Sequence, residues 1–197
     1  DLYFFWFNAQ PRLGKMDLYY TTLGSLMIIA AVTGSSYTFS VYSDGLQKEW
    51  DFQTHQIETI SVVGFCAGMF SFLPGLLSDH LGPRKAVMLG GVLQSSSFAL
   101  FWAISTKRLG DLNKSTAVPL LCLTAVGQFL GSSTSTGAVF ATIVRNFPCQ
   151  RGLVTGLVKG WVGLCGGMLT QLFVGFVRIP DKGPGDLDFC LLAAVAV

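Results

Sequence analysis

The stretch that decides the fold is "GLLSDHLGPRKAVMLGG", residues 75–91, in which a short charged segment joins two long apolar runs. Asp79 comes at the end of the first run, and Gly82 with the proline after it favours a reversal of the chain because neither residue continues a helix well. Arg84 and Lys85 open the second run, where basic side chains suit the headgroup level of a membrane. The stretch therefore predicts a tight hairpin between two membrane-spanning helices.

The composition of the whole chain agrees with a membrane environment. Of its 197 residues, 51% are hydrophobic and 12% are charged, whereas roughly a quarter are charged in a typical soluble domain. The mean hydropathy is +0.54. The net charge of +2 and the lack of a basic cluster argue against a nucleic-acid partner. The partner that the composition predicts is the lipid bilayer.

Five apolar stretches are long enough to cross a hydrocarbon core of about 30 Å as helices, which takes roughly 20 residues each. These predicted spans are Thr21–Ser43, Thr59–Ser78, Ala86–Thr106, Val118–Val144 and Gly152–Val177, and an incomplete sixth begins near Phe189. Helices are expected because lipid offers no partner to backbone polar groups, and the alternating segments of a membrane barrel are missing. We therefore expect one all-α integral membrane domain over residues 1–197, and the first residue, Asp1, suggests a fragment.

The connections between the predicted spans alternate in length. Two short ones, Asp79–Lys85 and Arg145–Arg151, predict tight hairpins on one side of the membrane. Three longer ones, Asp44–Glu58, Lys107–Ala117 and Arg178–Asp188, lie on the other side. The short loops together with the amino-terminal segment carry six Lys and Arg residues, and the longer loops also carry six. The positive-inside rule therefore leaves the orientation undecided.

The hairpin stretch resembles the signature between the second and third helices of the major facilitator superfamily, which reads roughly G-x-x-x-D-x-x-G-x-R-[KR]. The matching positions, which the resemblance identifies as a conformational-gating motif, are Gly75, Asp79, Gly82, Arg84 and Lys85. In that superfamily this loop is cytoplasmic. The resemblance thus implies that the amino terminus and both short loops face the cytoplasm.

A second stretch, "VRNFPCQRGLVTGLVKGWVGLCGGMLTQLF" at residues 144–173, resembles the nodulin-like branch of this superfamily, as does "YTFSVYSDGLQ" at residues 37–47. The positions in register include Arg145, Asn146 and Arg151 of the predicted fourth-to-fifth cytoplasmic loop. The resemblance covers most of the chain. It implies a facilitator-type six-helix bundle, the amino-terminal half of a transporter, and it names no substrate.

Two of the predicted spans carry polar side chains at mid-depth, where such groups are costly. The candidates for a substrate cavity, which share one face of the fourth span or one face of the first, are Gln128, Ser132 and Thr136, and Thr33, Tyr37 and Ser40. Ser and Thr can also bond back to carbonyls of their own helix. The resemblance implies that the first and fourth helices line a central cavity.

Lys159 is the charged residue that lies well inside a predicted span, about 10 Å from the start of the fifth one. Two roles stay open for it. Its stem could let the ammonium reach the interface, or a buried ammonium could meet an anionic solute or an acid. Beside it, Gly152, Gly156 and Gly160 have the spacing that suits close packing or sliding of helices.

Signatures of enzymes and of metal or cofactor sites are missing from the sequence. There is no phosphate-binding loop and no H-E-x-x-H, and the five scattered cysteines form no C-x-x-C pair. We therefore expect no catalytic residue, no metal and no cofactor.

The expected function is secondary-active transport of a small solute by alternating access against a second, carboxy-terminal helix bundle. A monocarboxylate or oxalate/formate-type carrier is an alternative, although the acid-Gly signature of its first helix is missing here. A non-transporting receptor or scaffold and a non-functional truncated product also stay open. The sequence does not identify which membrane the protein occupies.

Overall fold

The computed structural model describes residues 15–70, 72–108, 113–147, 150–177 and 187–196, whose regular structure is helical throughout. The helices are α1 (Lys15–Thr33), α2 (Phe39–Trp50), α3 (Thr54–Met69), α4 (Phe72–Leu81), α5 (Pro83–Ser105), α6 (Lys114–Asn146), α7 (Arg151–Leu172) and α8 (Asp188–Ala196). A 3-10 segment, Gly34–Tyr37, joins α1 to α2, and a π-helical segment, Phe173–Val177, extends α7.

Four of these helical stretches are long and apolar enough to cross a membrane: Thr22–Trp50, Pro83–Ser105, Lys114–Ile143 and Arg151–Gly175. The predicted second span, Thr59–Ser78, is broken. Its two parts, α3 and α4, meet at a bend of 46° and make a fifth crossing if they count as one span. The bend is explained by Pro74, which has no N–H to donate and whose ring clashes with the carbonyl one turn earlier.

The first span is longer than predicted. It continues to Trp50 instead of ending at Ser43, so the predicted connection Asp44–Glu58 shrinks to residues 51–53. The sequence of α2 after Ser43 is polar but compatible with a helix. The prediction was wrong here because it took a polar segment to be a loop. The helix ends where Asp51 adopts a left-handed conformation, with φ 48°, and the Phe52 N–H donates to the Gln47 carbonyl at 3.2 Å.

The hairpin at Gly82 is tighter than predicted. Helix α4 continues to Leu81 and α5 begins at Pro83, so a single residue replaces the predicted connection Asp79–Lys85. Gly82 has φ 81° and ψ 156°, a region that is essentially restricted to glycine. Pro83 occupies the first position of α5, where its missing N–H costs nothing.

The apolar interior of the bundle consists of two cores. One lies toward the end of the bundle where α2 finishes, and its largest members include Tyr42, Leu46, Phe101, Leu121, Phe173 and Phe189. The other lies toward the opposite end of the bundle, where Gly82 joins α4 to α5 and which we call the Gly82 end. Its members include Leu26, Ala30, Val139, Ile143, Val154 and Val158. Buried polar side chains of α5, α6 and the 3-10 segment lie between the two cores.

The end of the bundle where α2 finishes, which we call the Trp50 end, is bordered by tryptophans with bonded indoles. The Nε1 of Trp50 donates to the Ser105 carbonyl at 2.9 Å, and that of Trp102 donates to the Asp188 carboxylate at 3.2 Å. Two ion pairs, Lys107–Glu49 and Lys114–Asp51, join the helix ends there. Amphipathic rings of this kind favour the membrane–water interface.

Helices α5 and α6 approach each other through glycines. A Cβ added to Gly131 would lie 2.7 Å from the Gln94 backbone nitrogen and 2.8 Å from the Gly90 carbonyl oxygen. A Cβ added to Gly90 would likewise lie 2.7 Å from the Gly131 carbonyl oxygen. Small residues allow this separation, and van der Waals contact between backbones then stabilises the pair in lipid.

The neighbouring glycines Gly90 and Gly91 offer a matched test of this contact. We expect Gly90→Ala to lower the free energy of unfolding by about 1–3 kcal/mol, because the added methyl group meets backbone that cannot move aside. Nothing lies within 4 Å of a Cβ added to Gly91, so Gly91→Ala should be neutral or stabilising by up to about 1 kcal/mol. Unfolding of both variants in detergent micelles measures the difference, and equal midpoints would contradict the close approach.

Candidate functional site

Gln94 is the centre of a polar layer in the middle of the bundle. It is the central residue of α5 and is fully buried. Its Nε2 donates to the hydroxyl oxygens of Ser35 and Ser36, each at 3.1 Å. Its Oε1 has no hydrogen-bond partner among the described residues. A buried acceptor without a partner costs roughly 1–3 kcal/mol, so this carbonyl is a functional candidate.

Sequence reasoning missed Gln94, although a signal was present. The residue stands in "GGVLQSSSFAL", within an apolar span, as Gln128 stands in the fourth span. Both amides are too long to be satisfied by their own helix in the way that Ser and Thr are. A search for amide side chains at the centre of every predicted span would have found both residues.

The predicted polar faces of the first and fourth spans meet in the structure. The Ser132 hydroxyl donates to the Thr33 carbonyl at 3.2 Å, and both residues are buried. Gln128, one turn earlier on α6, is also buried, and its Nε2 lacks a partner in the described part of the chain. Thr136 is half-buried on the same helix. Among the described residues, the layer therefore holds one acceptor without a hydrogen-bond partner, the Gln94 Oε1, and one donor without a partner, the Gln128 Nε2.

The predicted face of the first span is divided in two. Thr33 is buried, and its hydroxyl donates to the Ala30 carbonyl of its own helix at 2.8 Å. Tyr37 and Ser40 instead lie on an exposed face, where Tyr37 contacts Phe129 with ring centroids 6.2 Å apart. The 3-10 segment between Thr33 and Thr38 changes the helical spacing, which separates these side chains.

The 3-10 segment also contacts α7 directly. A Cβ added to Gly34 would lie 2.6 Å from the Val162 carbonyl oxygen and 3.3 Å from the Gly166 nitrogen. The glycine row that the sequence singled out is on the other side of α7. Gly152, Gly156 and Gly160 are exposed, and a Cβ at any of them meets nothing within 4 Å. The spacing alone did not identify which glycines of α7 make the close contact.

Lys159 is exposed on α7 instead of being enclosed by the bundle. Its ammonium nitrogen lies 5.0 Å from the ring centroid of Phe140, which is a cation–π contact. Phe140 follows Gln128, Ser132 and Thr136 at the same four-residue spacing along α6. Lys159 therefore belongs to the border of the polar face and not to the buried layer.

The gating motif and the fourth-to-fifth connection lie at the Gly82 end. Their charged and amide side chains are exposed at helix termini: Asp79 on α4, Arg84 and Lys85 on α5, Arg145 and Asn146 on α6, and Arg151 on α7. Gly75 is half-buried in α4. The predicted loop Arg145–Arg151 is shorter than expected, because α6 ends at Asn146 and α7 begins at Arg151.

Metal-binding side chains do not cluster in the residues that the structure describes: no group of three or more His, Cys, Asp or Glu comes together there. The four cysteines within this described part of the chain are unpaired. Cys165 and Cys190 are buried, Cys122 is half-buried, and Cys66 is exposed.

Long apolar helices around a buried polar layer define an all-helical protein that crosses the membrane several times. The chain belongs to the nodulin-like family, whose model matches residues 19–197. This confirms the family to which the sequence pointed, and it indicates a membrane transporter in general terms. Comparison with curated proteins and with solved structures gives no match.

The contact between Lys159 and Phe140 can be tested by removing the charge. We expect Lys159→Met to lower the free energy of unfolding by about 0.5–1 kcal/mol, the usual value of an exposed cation–π contact. Lys48→Met is the control, because Lys48 is also exposed on a helix and no cation–π contact among the described residues involves it. Thermal unfolding in micelles compares the two variants, and equal effects would show that the ring contact contributes nothing.

Proposed function

We propose that this protein is a secondary-active transporter that moves a small solute by alternating access, with a facilitator-type bundle as its moving part. It acts without enzymatic chemistry and in concert with a second helix bundle. The single observation that carries the proposal is the polar layer at the centre of the spans. A membrane protein built only for packing has no use for the Gln94 carbonyl and the Gln128 amide nitrogen, which lack partners among the described residues at a depth where polar groups are most costly.

The position of the layer supports a solute pathway. In the span Thr22–Trp50 the central residue is Ser36, and in Pro83–Ser105 it is Gln94. Ser132 lies two residues from the centre of α6. Transporters place their binding groups near the bilayer midplane, where irregular helix segments expose polar groups. The 3-10 segment between α1 and α2 is an irregularity of this kind at the required depth.

Uptake into proteoliposomes tests the proposal. The purified protein is reconstituted and offered a panel of labelled sugars, amino acids, carboxylates and nucleobases, with an imposed proton or sodium gradient and with none. Accumulation that needs a gradient and is missing from protein-free vesicles is the expected result. Failure to accumulate any member of a broad panel under every gradient would favour a receptor or scaffold.

Gln94→Met separates a role in transport from a role in folding. Methionine keeps the volume, and the loss of two hydrogen bonds, each about 0.6 kcal/mol in membrane proteins, is offset by removal of the unpartnered carbonyl. We therefore expect the free energy of unfolding to change by less than about 1 kcal/mol. If the two bonds exist in only one state of the cycle, uptake should fall roughly tenfold.

The control for Gln94→Met is Ser96→Ala on the same helix, where an exposed hydroxyl donates to the Leu93 carbonyl of its own helix. This variant should leave both stability and uptake unchanged. A Gln94→Met protein with wild-type uptake would remove the polar layer from the transport mechanism.

The orientation is tested by cysteine labelling on intact cells. We expect Arg84→Cys to react with a membrane-impermeant maleimide only after permeabilisation, because the gating motif is cytoplasmic in the superfamily. Lys114→Cys, at the Trp50 end, should react without permeabilisation. The wild-type protein gives the background from native cysteines. The opposite pattern would invert the proposed topology.

A further inference from the structure

We propose that the rings of Tyr37, Phe65 and Phe129 form a subsite that holds a flat, uncharged aromatic ring of the transported solute. The three rings come from α3, α6 and the 3-10 segment. Phe129 contacts both neighbours, with centroid distances of 6.2 Å to Tyr37 and 4.9 Å to Phe65. Tyr37 is 58% exposed and Phe65 is 48% exposed, so the cluster is open on one side. The inference rests on the proposed transport function.

All three rings lie near the middle of their spans. Tyr37 is one residue from the centre of Thr22–Trp50, and Phe129 is one residue from the centre of α6. Phe65 lies within three residues of the centre of the stretch from Thr54 to Leu81. Tyrosine normally lies at the membrane interface, where its hydroxyl meets water. An open tyrosine at mid-depth therefore needs another explanation.

The open side of the cluster does not suit lipid. Ser40 and Asp44 follow Tyr37 at helical spacing, and both are exposed. Asp44 lies six residues before Trp50, which places it about 9 Å deeper than the interfacial tryptophan. A carboxylate that faces lipid there, inside the span Thr22–Trp50, is unfavourable. The face from Tyr37 to Asp44 therefore borders an aqueous path that reaches the rings from the Trp50 end.

The exposed face of α5 differs from the Tyr37 face in composition. Its open large side chains are aliphatic: Met88, Leu89, Val92, Leu93 and Leu100. Ser96, which is also exposed there, satisfies its hydroxyl on the Leu93 carbonyl. The Tyr37 face combines aromatic rings with polar and acidic groups, and this combination fits a solute that is partly flat and apolar and partly hydrated.

The rings are held firmly enough to select a shape. A Cβ added to Gly64 would lie 3.0 Å from Phe129, and one added to Gly68 would lie 3.7 Å from it. Phe129 is therefore seated on the glycine pair of α3, and its edge-to-face contact with Tyr37, at 89°, orients the second ring. Rigid rings favour a flat aromatic partner over a puckered aliphatic one of the same size.

Among the described residues, the cation–π contacts involve Trp50, Trp102 and Phe140 and none of the three rings of the cluster. Lys159 contacts Phe140, which is eleven residues from Phe129 on α6, or about 16 Å along the helix. The expectation of an anionic solute was tied to that lysine. The ring subsite instead points to a ring without charge.

Benzamide and cyclohexanecarboxamide are suitable probes, because both are uncharged amides and only one has a flat ring. Binding to the purified protein in nanodiscs is measured by saturation-transfer NMR titration, with empty nanodiscs subtracted. We expect benzamide to bind more tightly, and Tyr37→Leu and Phe65→Leu each to weaken its binding roughly three- to tenfold. Phe72→Leu is the matched control, because Phe72 is 60% exposed and lies outside the cluster.

Tyr37→Phe keeps the ring and should retain benzamide binding, which also guards against a Tyr37→Leu protein that is merely misfolded. Equal affinity for the two amides, or an equal loss in Phe72→Leu, would overturn the subsite. Benzamide binding without uptake of any solute would overturn transport and leave the subsite standing. Uptake without discrimination between aromatic and aliphatic solutes would overturn the subsite alone.

Discussion

The close backbone contact between α5 and α6 is the constraint on which the rest of the bundle depends. Gly90 and Gly131 let the two helices approach closely, and one turn further along α5 the Gln94 side chain reaches the serines of the 3-10 segment. A wider separation of α5 and α6 would break the hydrogen bonds from the Gln94 amide to Ser35 and Ser36. Packing by small residues, which is the main attraction between helices in lipid, thus sets the position of the polar layer.

The polar layer in turn explains why the first span is not a regular helix. Ser35 and Ser36 must both face Gln94, whereas Gly34 must face α7, where the Val162 carbonyl leaves room for no side chain. A 3-10 segment turns more tightly than an α-helix and directs consecutive residues to different neighbours. The 3-10 segment therefore depends on two contacts at once: Gly34 with α7 and the two serines with Gln94 of α5.

The sequence predicted the membrane class, the family and the position of the long apolar helices because these follow from run length and from local motifs. It did not predict where α2 ends, since the polar segment after Ser43 has helical spacing but low hydropathy. It also did not predict the bend at Pro74, because a proline within an apolar run is tolerated in membrane helices. The residues at which a helix begins and ends depend on its capping interactions and on the helices packed against it. Hydropathy carries no information about either.

The candidate site was predicted only in part, for a physical reason. Spacing shows which residues share a face, but it cannot show which helix that face meets. Ser132 and Thr33 come together in the structure, although the sequence did not predict that contact. The glycine row of α7 faces outward, and Gly166 makes the contact instead. Gln94 escaped notice because a single amide hardly changes the hydropathy of a long span.

Helix α4 is set apart from its neighbours by the 46° bend before it and the tight hairpin after it. It is a ten-residue helix, about 15 Å long, with a proline bend at one end and a one-residue turn at the other. Gly82 alone separates α4 from α5, so a tilt of α4 would also displace the first turn of α5. A change of about 10° at the bend displaces the far end by roughly 2.6 Å over that length. Any such rotation of α4 about the bend between Met69 and Pro74 would thus move the start of α5 with it.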